Sequence, residues 1–218
     1  MTVVGILLAL LGPPIVALVG PRLAAAVGTV FGSLIGLGGM VAIVASAFII
    51  TVQFEHQALA SLGFQPLRWQ SIAFGLGLAA FFMYAFTPAI VWVLSCLPFG
   101  GFETGLAKAS AIPTWLLVIT VLIVATAEEI LYRGYAVERL AGITGSYWIA
   151  GAISVLVFGA AHIPNWGLGA ALTTLISGAI LTVFYIWQRD LTANIIAHVV
   201  TDFMGLIVMP ALAQSKPT

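Results

Sequence analysis

Residues 112–135 read IPTWLLVITVLIVATAEEILYRGY, an apolar run opened by Pro113 and closed by Glu128, Glu129 and Arg133. A helix that crosses a bilayer needs about 20 mainly apolar residues. Proline suits the first turn of such a helix, where its missing N–H would have had no partner. The charged residues at the far end are the anomaly. An ionisable side chain at membrane depth is expensive unless it is paired or wet, so such positions point to function by default.

The rest of the chain extends the same pattern. Of its 218 residues 62% are hydrophobic and 6% charged, with a mean hydropathy of +1.18, whereas a soluble domain carries roughly 25% charged residues. So few charges cannot cover a water-exposed surface, and lipid must be the solvent for most of the molecule. In hydrocarbon every backbone N–H and C=O has to be satisfied within the protein, which leaves helices or closed barrels. The apolar runs here lack the two-residue alternation of barrel strands. The expected fold is all-α: a polytopic transmembrane bundle of about seven helices, forming a single domain over residues 1–218.

The divisions fall at polar or Pro/Gly interruptions. The first helix is expected from Thr2 to Gly20, interrupted at Gly12-Pro13-Pro14, and the second from Leu23 to Thr51. Gly28, Gly32 and Gly36 would form a small-residue face on that second helix, allowing close helix packing. A polar loop over 53–70 holds Glu55, His56, Arg68 and the turn Ser61-Leu62-Gly63. Further helices are expected over 71–96, 112–135, 146–162, 168–187 and 191–212, with a loop over 98–111 that carries Glu103 and Lys108. No basic n-region precedes the first apolar run, so that run is expected to stay as a membrane helix. The single cysteine, Cys96, reads as a small buried hydrophobe.

Seven basic and seven acidic residues leave no net charge. Nothing there suggests a nucleic-acid partner or a polybasic lipid-binding segment. The even spread of charge among loops does not fix membrane orientation, and the sequence leaves the oligomeric state open.

Ionisable residues within the expected helices fall into three groups. In the first, Glu129 and Arg133 are four apart, share a helix face and can pair. Glu128 is rotated about 100° from Glu129, lacks that partner, and is a plausible general base for a water molecule. The second group, Phe158-Gly159-Ala160-Ala161-His162, runs into Pro164-Asn165 and places His162 near a helix end. The third repeats Asn194, His198 and Asp202 every four residues along one face. Each group alone is compatible with interhelical hydrogen bonding that fixes packing. Together they supply a carboxylate, two imidazoles and a second acid, the ingredients of water activation and oxyanion stabilisation.

In this order on successive hydrophobic segments, Glu128-Glu129-x-x-x-Arg133, Phe158-x-x-x-His162 and His198-x-x-x-Asp202 resemble the signature of one family. It is the CAAX-protease and bacteriocin-processing family of intramembrane proteases, also called the abortive-infection family, which includes the type II CAAX prenyl endopeptidases. The resemblance covers residues 115–204 and implies peptide-bond hydrolysis in a water-filled cavity among the helices, on a membrane-bound peptide or protein substrate. By that analogy Glu128 and His162 hold and activate the attacking water, His198 and Asp202 face the developing oxyanion, and Glu129 and Arg133, with Asn194, support them. Asp202 departs from the prenyl-protein proteases, which typically carry Asn there. A carboxylate donates to an oxyanion only while protonated, so Asp202 would have to be neutral, orient His198, or bind a metal. Zinc is the metal that His162, His198, Asp202 and Glu128 would take. Against it, no His-Glu-x-x-His helix is present, and the resemblance also supports a metal-free glutamate mechanism. The rival readings are a non-catalytic membrane immunity or assembly partner and a proton-coupled transporter. The second lacks the inverted repeat common among carriers.

Overall fold

The structure is a computed structural model that describes residues 1–98 and 103–214. Among the described residues there is no strand, and seven helices are long and apolar enough to cross a membrane. They are α1 (Thr2–Val27), α2 (Thr29–Phe54), α3 (Trp69–Ser95), α5 (Thr114–Thr144), α6 (Tyr147–Trp166), α7 (Leu168–Gln188) and α8 (Leu191–Leu212). A short helix, α4 (Glu103–Ser110), lies between α3 and α5. The protein is an integral, multi-pass membrane protein.

The number of spans agrees with the sequence, but several boundaries do not. Helix α1 continues through Pro13, Pro14 and Pro21. Proline is tolerated inside a transmembrane helix where neighbouring groups and local adjustments satisfy the freed carbonyls. The break comes at Gly28, whose φ of 88° is open to glycine and strained for other residues. Gly28 is therefore the hinge between α1 and α2 rather than part of a helix face. Gly32 does belong to such a face: a Cβ there would lie 2.5 Å from the Ala24 backbone. Gly39 extends it, pressed against Val16. The expected loop over 98–111 contains α4, with its residues 99–102 outside the described set. Helix α5 runs on to Thr144, so Glu138 and Arg139 lie within it rather than beyond it. Helix α6 likewise continues through Pro164 to Trp166. Cys96 is exposed, not buried, because it falls just past the last turn of α3.

Helix α5 is the centre of the bundle. Its segment Glu129–Val137 is π-helical and every residue in it is buried. Isolated π turns inside helices are uncommon and occur frequently at functional sites. Helices α1 and α2 cover one flank, where Ile6, Leu10, Ala47 and Ile50 join Leu131, Tyr132 and Tyr135 in one apolar cluster. Tyr135 is held so close to α1 that a side chain on Gly5 would overlap its ring. On another flank Phe158 of α6 joins the same cluster. Helix α8 lies between α5 and α3, with Gly75 of α3 against the Ala193 carbonyl and Ile196.

The polar loop after α2 is more deeply embedded than its composition suggests. Leu62 is fully buried, and its carbonyl lies against Gly134, where a Cβ would come within 3.0 Å. The Leu191 N–H donates to the Gly63 carbonyl at 2.9 Å, fixing the loop to the start of α8. Glu55 accepts from the Tyr135 hydroxyl and from Arg139 Nε, each at 2.7 Å, and Arg139 Nη2 also donates to Ser61 Oγ at 3.0 Å. His56 remains exposed, as an interfacial residue should. Burial acts to raise the Glu55 pKa, but hydrogen bonds from Tyr135 and Arg139 outweigh it and hold the carboxyl below the usual carboxylate range.

A carboxyl depressed in the folded state stabilises the fold above its unfolded pKa, and that contribution is lost as pH falls through the lowered value. Glu55→Gln is thus expected to lower the Tm in detergent at neutral pH and to match wild type at acid pH, once Glu55 itself is protonated. A Tm difference of equal size at both pH values would mean that the charge contributes nothing.

Candidate active site

The three sequence groups converge at the start of the π-helical segment. Glu129 is fully buried and accepts three hydrogen bonds. Its Oε1 takes one from Arg133 Nη1 at 2.7 Å and one from His198 Nδ1 at 2.8 Å, while its Oε2 takes one from Asn194 Nδ2 at 3.1 Å. The expected Glu129–Arg133 pair is present and is the innermost part of the site.

Arg133 is itself fully committed. Its Nε donates to Thr182 Oγ1 at 3.2 Å and its Nη2 to the Gly178 carbonyl at 3.0 Å. The guanidinium also lies 4.5 Å above the Phe158 ring centroid, within cation–π range. Gly178 has to be glycine for this arrangement, since a Cβ would stand 2.8 Å from the Phe158 ring and 3.2 Å from Arg133 Nη2.

Phe158 was legible as the first residue of a motif, but its role was not. In space it is the wedge of the site, with edge-to-face contacts to Tyr132 at 5.0 Å, His162 at 4.9 Å and His198 at 6.3 Å. His162 Nδ1 lies 2.8 Å from the Phe158 carbonyl, so it donates to that oxygen and leaves Nε2 as the free ring nitrogen. Ser154 Oγ donates to the Tyr132 carbonyl at 2.9 Å, giving the disturbed backbone ladder of the π segment a side-chain partner. Thr182, Gly178 and Ser154 were missed by sequence reading because each is an ordinary small residue in an apolar helix. Only their proximity to Arg133 and Tyr132 gives them meaning.

The stripe on α8 divides by depth. Asn194 is buried and points into the Glu129 shell, where Nδ2 also donates to the Leu181 carbonyl at 2.9 Å. Its Oδ1 is buried and has no partner among the described residues. His198 links inner and outer parts: with Nδ1 held by Glu129, Nε2 faces two further carboxylates. Glu128 Oε2 lies 3.8 Å from it and Asp202 Oδ2 3.6 Å. The Asp202 side chain is 39% exposed and that of Glu128 13%, against 0% for Glu129. Asp202 therefore forms the open rim and Glu129 the floor. Asp202 does not orient the ring through Nδ1, because Glu129 occupies that position.

Among the described residues no three His, Cys, Asp or Glu side chains stand where they could hold one ion together. The available chemistry is that of two carboxylates facing one imidazole nitrogen, with a buried ion pair fixing the other.

An all-α bundle of apolar helices encloses this constellation. Residues 110–204 match the family model described as type II CAAX prenyl endopeptidase Rce1-like. The matched region contains all three motifs, and the resemblance to the CAAX-protease family holds over it. No curated protein and no solved structure matches the chain.

Proposed function

We propose that this chain is an intramembrane endopeptidase that hydrolyses a peptide bond in a membrane-associated protein or peptide, with Glu128 as the base that activates water. The observation that carries the reading is the division of labour between adjacent glutamates. Glu129 is consumed by Arg133, Asn194 and His198, whereas Glu128 has His198 Nε2, at 3.8 Å, as its one ion-pair partner among the described residues and retains access from the rim. Side chains kept only for packing would not need one carboxylate left open beside another that is fully satisfied.

In the proposed reaction a water molecule sits between Glu128 and His162. Glu128 takes its proton as the oxygen attacks the scissile carbonyl carbon. The carbonyl oxygen becomes an oxyanion facing His198 Nε2–H, and Glu129 stabilises the imidazolium through Nδ1–H. The Asp202 carboxylate, near the same nitrogen, balances the imidazolium before substrate arrives. Glu128 then passes its proton to the leaving nitrogen as the C–N bond breaks, giving a carboxylic acid, which keeps the second proton of the water, and an amine. Pre-positioned donors of this kind act strongly because they need no reorganisation as the charge develops.

The reading is tested by cleavage of a quenched fluorescent peptide library by purified protein in detergent, with and without a zinc chelator. Wild type should cleave, His198→Ala and Glu128→Ala should not, and all three should fold. Chelator-sensitive cleavage would require a metal in the mechanism. Folded wild type without activity on soluble or lipid-modified peptides would move the assignment to a non-catalytic membrane partner.

A further inference from the structure

A polar cavity lies apart from the Glu128 site, where the start of α3 meets the junction of α7 and α8. Its volume is about 380 Å³, and its walls include Gln65, Arg68, Gln70, Gln188 and Asp190. That is within the roughly 300–1,000 Å³ range of small-molecule sites. Arg133, Arg139 and Arg189 each hold a carboxylate within 2.8 Å. The Arg68 guanidinium, by contrast, has no hydrogen bond or ion pair among the described residues. In the same lining Asp190 is fixed in place: its Oδ2 accepts from Ser71 Oγ at 2.6 Å and its Oδ1 from the Ala193 N–H at 3.2 Å. An exposed cation and an immobilised carboxylate thus line the same cavity.

The surroundings give the cavity its depth in the bilayer. Trp69 begins α3 and Trp187 ends α7, and the two are 73% and 70% exposed. Exposed tryptophans at helix ends mark the headgroup level of a membrane. Phe74, which lines the cavity, lies 6.3 Å from the Trp187 ring and forms an apolar flank on the hydrocarbon side.

We propose that this cavity binds the headgroup of a phospholipid bearing a primary ammonium, such as phosphatidylethanolamine. Arg68 and the neighbouring glutamine amides hold the phosphate, and Asp190 accepts from the ammonium. The acyl chains run down past Phe74 and Trp187. One guanidinium and one carboxylate match a zwitterion. A headgroup with only negative charge would face Asp190 unfavourably, and a quaternary choline has no N–H to donate to it. The site is independent of the proteolytic reading. Asp190 also caps the helix that carries Asn194, His198 and Asp202.

Native mass spectrometry of the detergent-purified protein tests the assignment. The probes are phosphatidylethanolamine, phosphatidylcholine and phosphatidylglycerol of matched acyl chains, with glycerophosphoethanolamine and inorganic phosphate as lipid-free probes. Phosphatidylethanolamine should bind one per chain, about 10-fold tighter than the other two lipids. Arg68→Gln should weaken it about 10-fold, whereas Arg22→Gln, on a cation outside the cavity, should leave it unchanged. Asp190→Asn keeps the helix cap, since Asn also caps well, and should abolish the preference over phosphatidylcholine. Equal affinity for all three headgroups, or no effect of Arg68→Gln, would overturn the proposal in favour of non-selective annular lipid. Tighter phosphatidylglycerol binding, or inorganic phosphate competing as well as the lipid, would overturn it in favour of a simple anion site.

Discussion

Glu128→Gln is expected to lower kcat/KM for peptide cleavage by about 10³-fold, in the middle of the 10²–10⁴ range for loss of a general base. Its Tm in detergent should stay near that of wild type. Gln keeps the size and hydrogen-bonding reach of Glu but cannot accept the proton of the attacking water. Stability should survive because Glu128 makes no hydrogen bond among the described residues: its near partner is His198 Nε2 at 3.8 Å, too long for one. A purely packing role predicts the opposite pattern, with activity and Tm moving together or neither moving. Initial rates and melting curves on the same preparation distinguish the two, and a Gln variant within about threefold of wild-type activity would remove Glu128 from the chemistry.

The adjacent Glu129 shows how far the sequence could be read. Four-residue spacing identified its pair with Arg133, and the same spacing placed Asn194, His198 and Asp202 on one face of α8. These regularities follow from helix geometry and survive in the structure, even though Glu129 and Arg133 lie in a π segment. What spacing cannot give is which helix faces which. That Asn194 and His198 both end on Glu129, rather than on Glu128, depends on how α8 is rotated against α5. The rotation is set by close packing at positions such as Gly75, where α3 meets α8. Phe158 was visible as part of a motif, yet its wedge between Arg133 and the two histidines needs Gly178 on a third helix.

Boundary errors have a common origin as well. Pro13 and Pro14 look like breakers by the rules of soluble helices, but α1 passes through them and turns at Gly28, where the backbone adopts a positive φ. Hydropathy places spans well because membrane thickness imposes a length on each. It cannot locate turns that depend on one backbone dihedral. The embedded loop at Leu62 was hidden for a different reason: four residues of ordinary composition acquire their role only by filling the space that Gly134 leaves on α5.

Arg133→Met is expected to be the most destabilising single change in the site, by about 3–5 kcal/mol, the usual result of removing one partner from a buried ion pair. Methionine fills much of the volume left by the arginine stem, so the loss is electrostatic more than steric. Glu129 would stay fully buried with His198 Nδ1 and Asn194 Nδ2 but without its strongest donor, and water cannot replace that donor at this depth. Thr182 Oγ1 and the Gly178 carbonyl would also lose their hydrogen bonds to the guanidinium. Removing both charges, in Glu129→Gln/Arg133→Met, leaves no orphaned carboxylate and should recover part of the Tm. It should not recover cleavage, because a neutral amide in place of the Glu129 carboxylate cannot stabilise the His198 imidazolium through Nδ1–H. Comparing the two variants therefore separates what the pair does for the fold from what it does for the chemistry. A double variant no more stable than Arg133→Met would show that the buried carboxylate finds another partner and that the ion pair is not what holds α5 to α7 and α8.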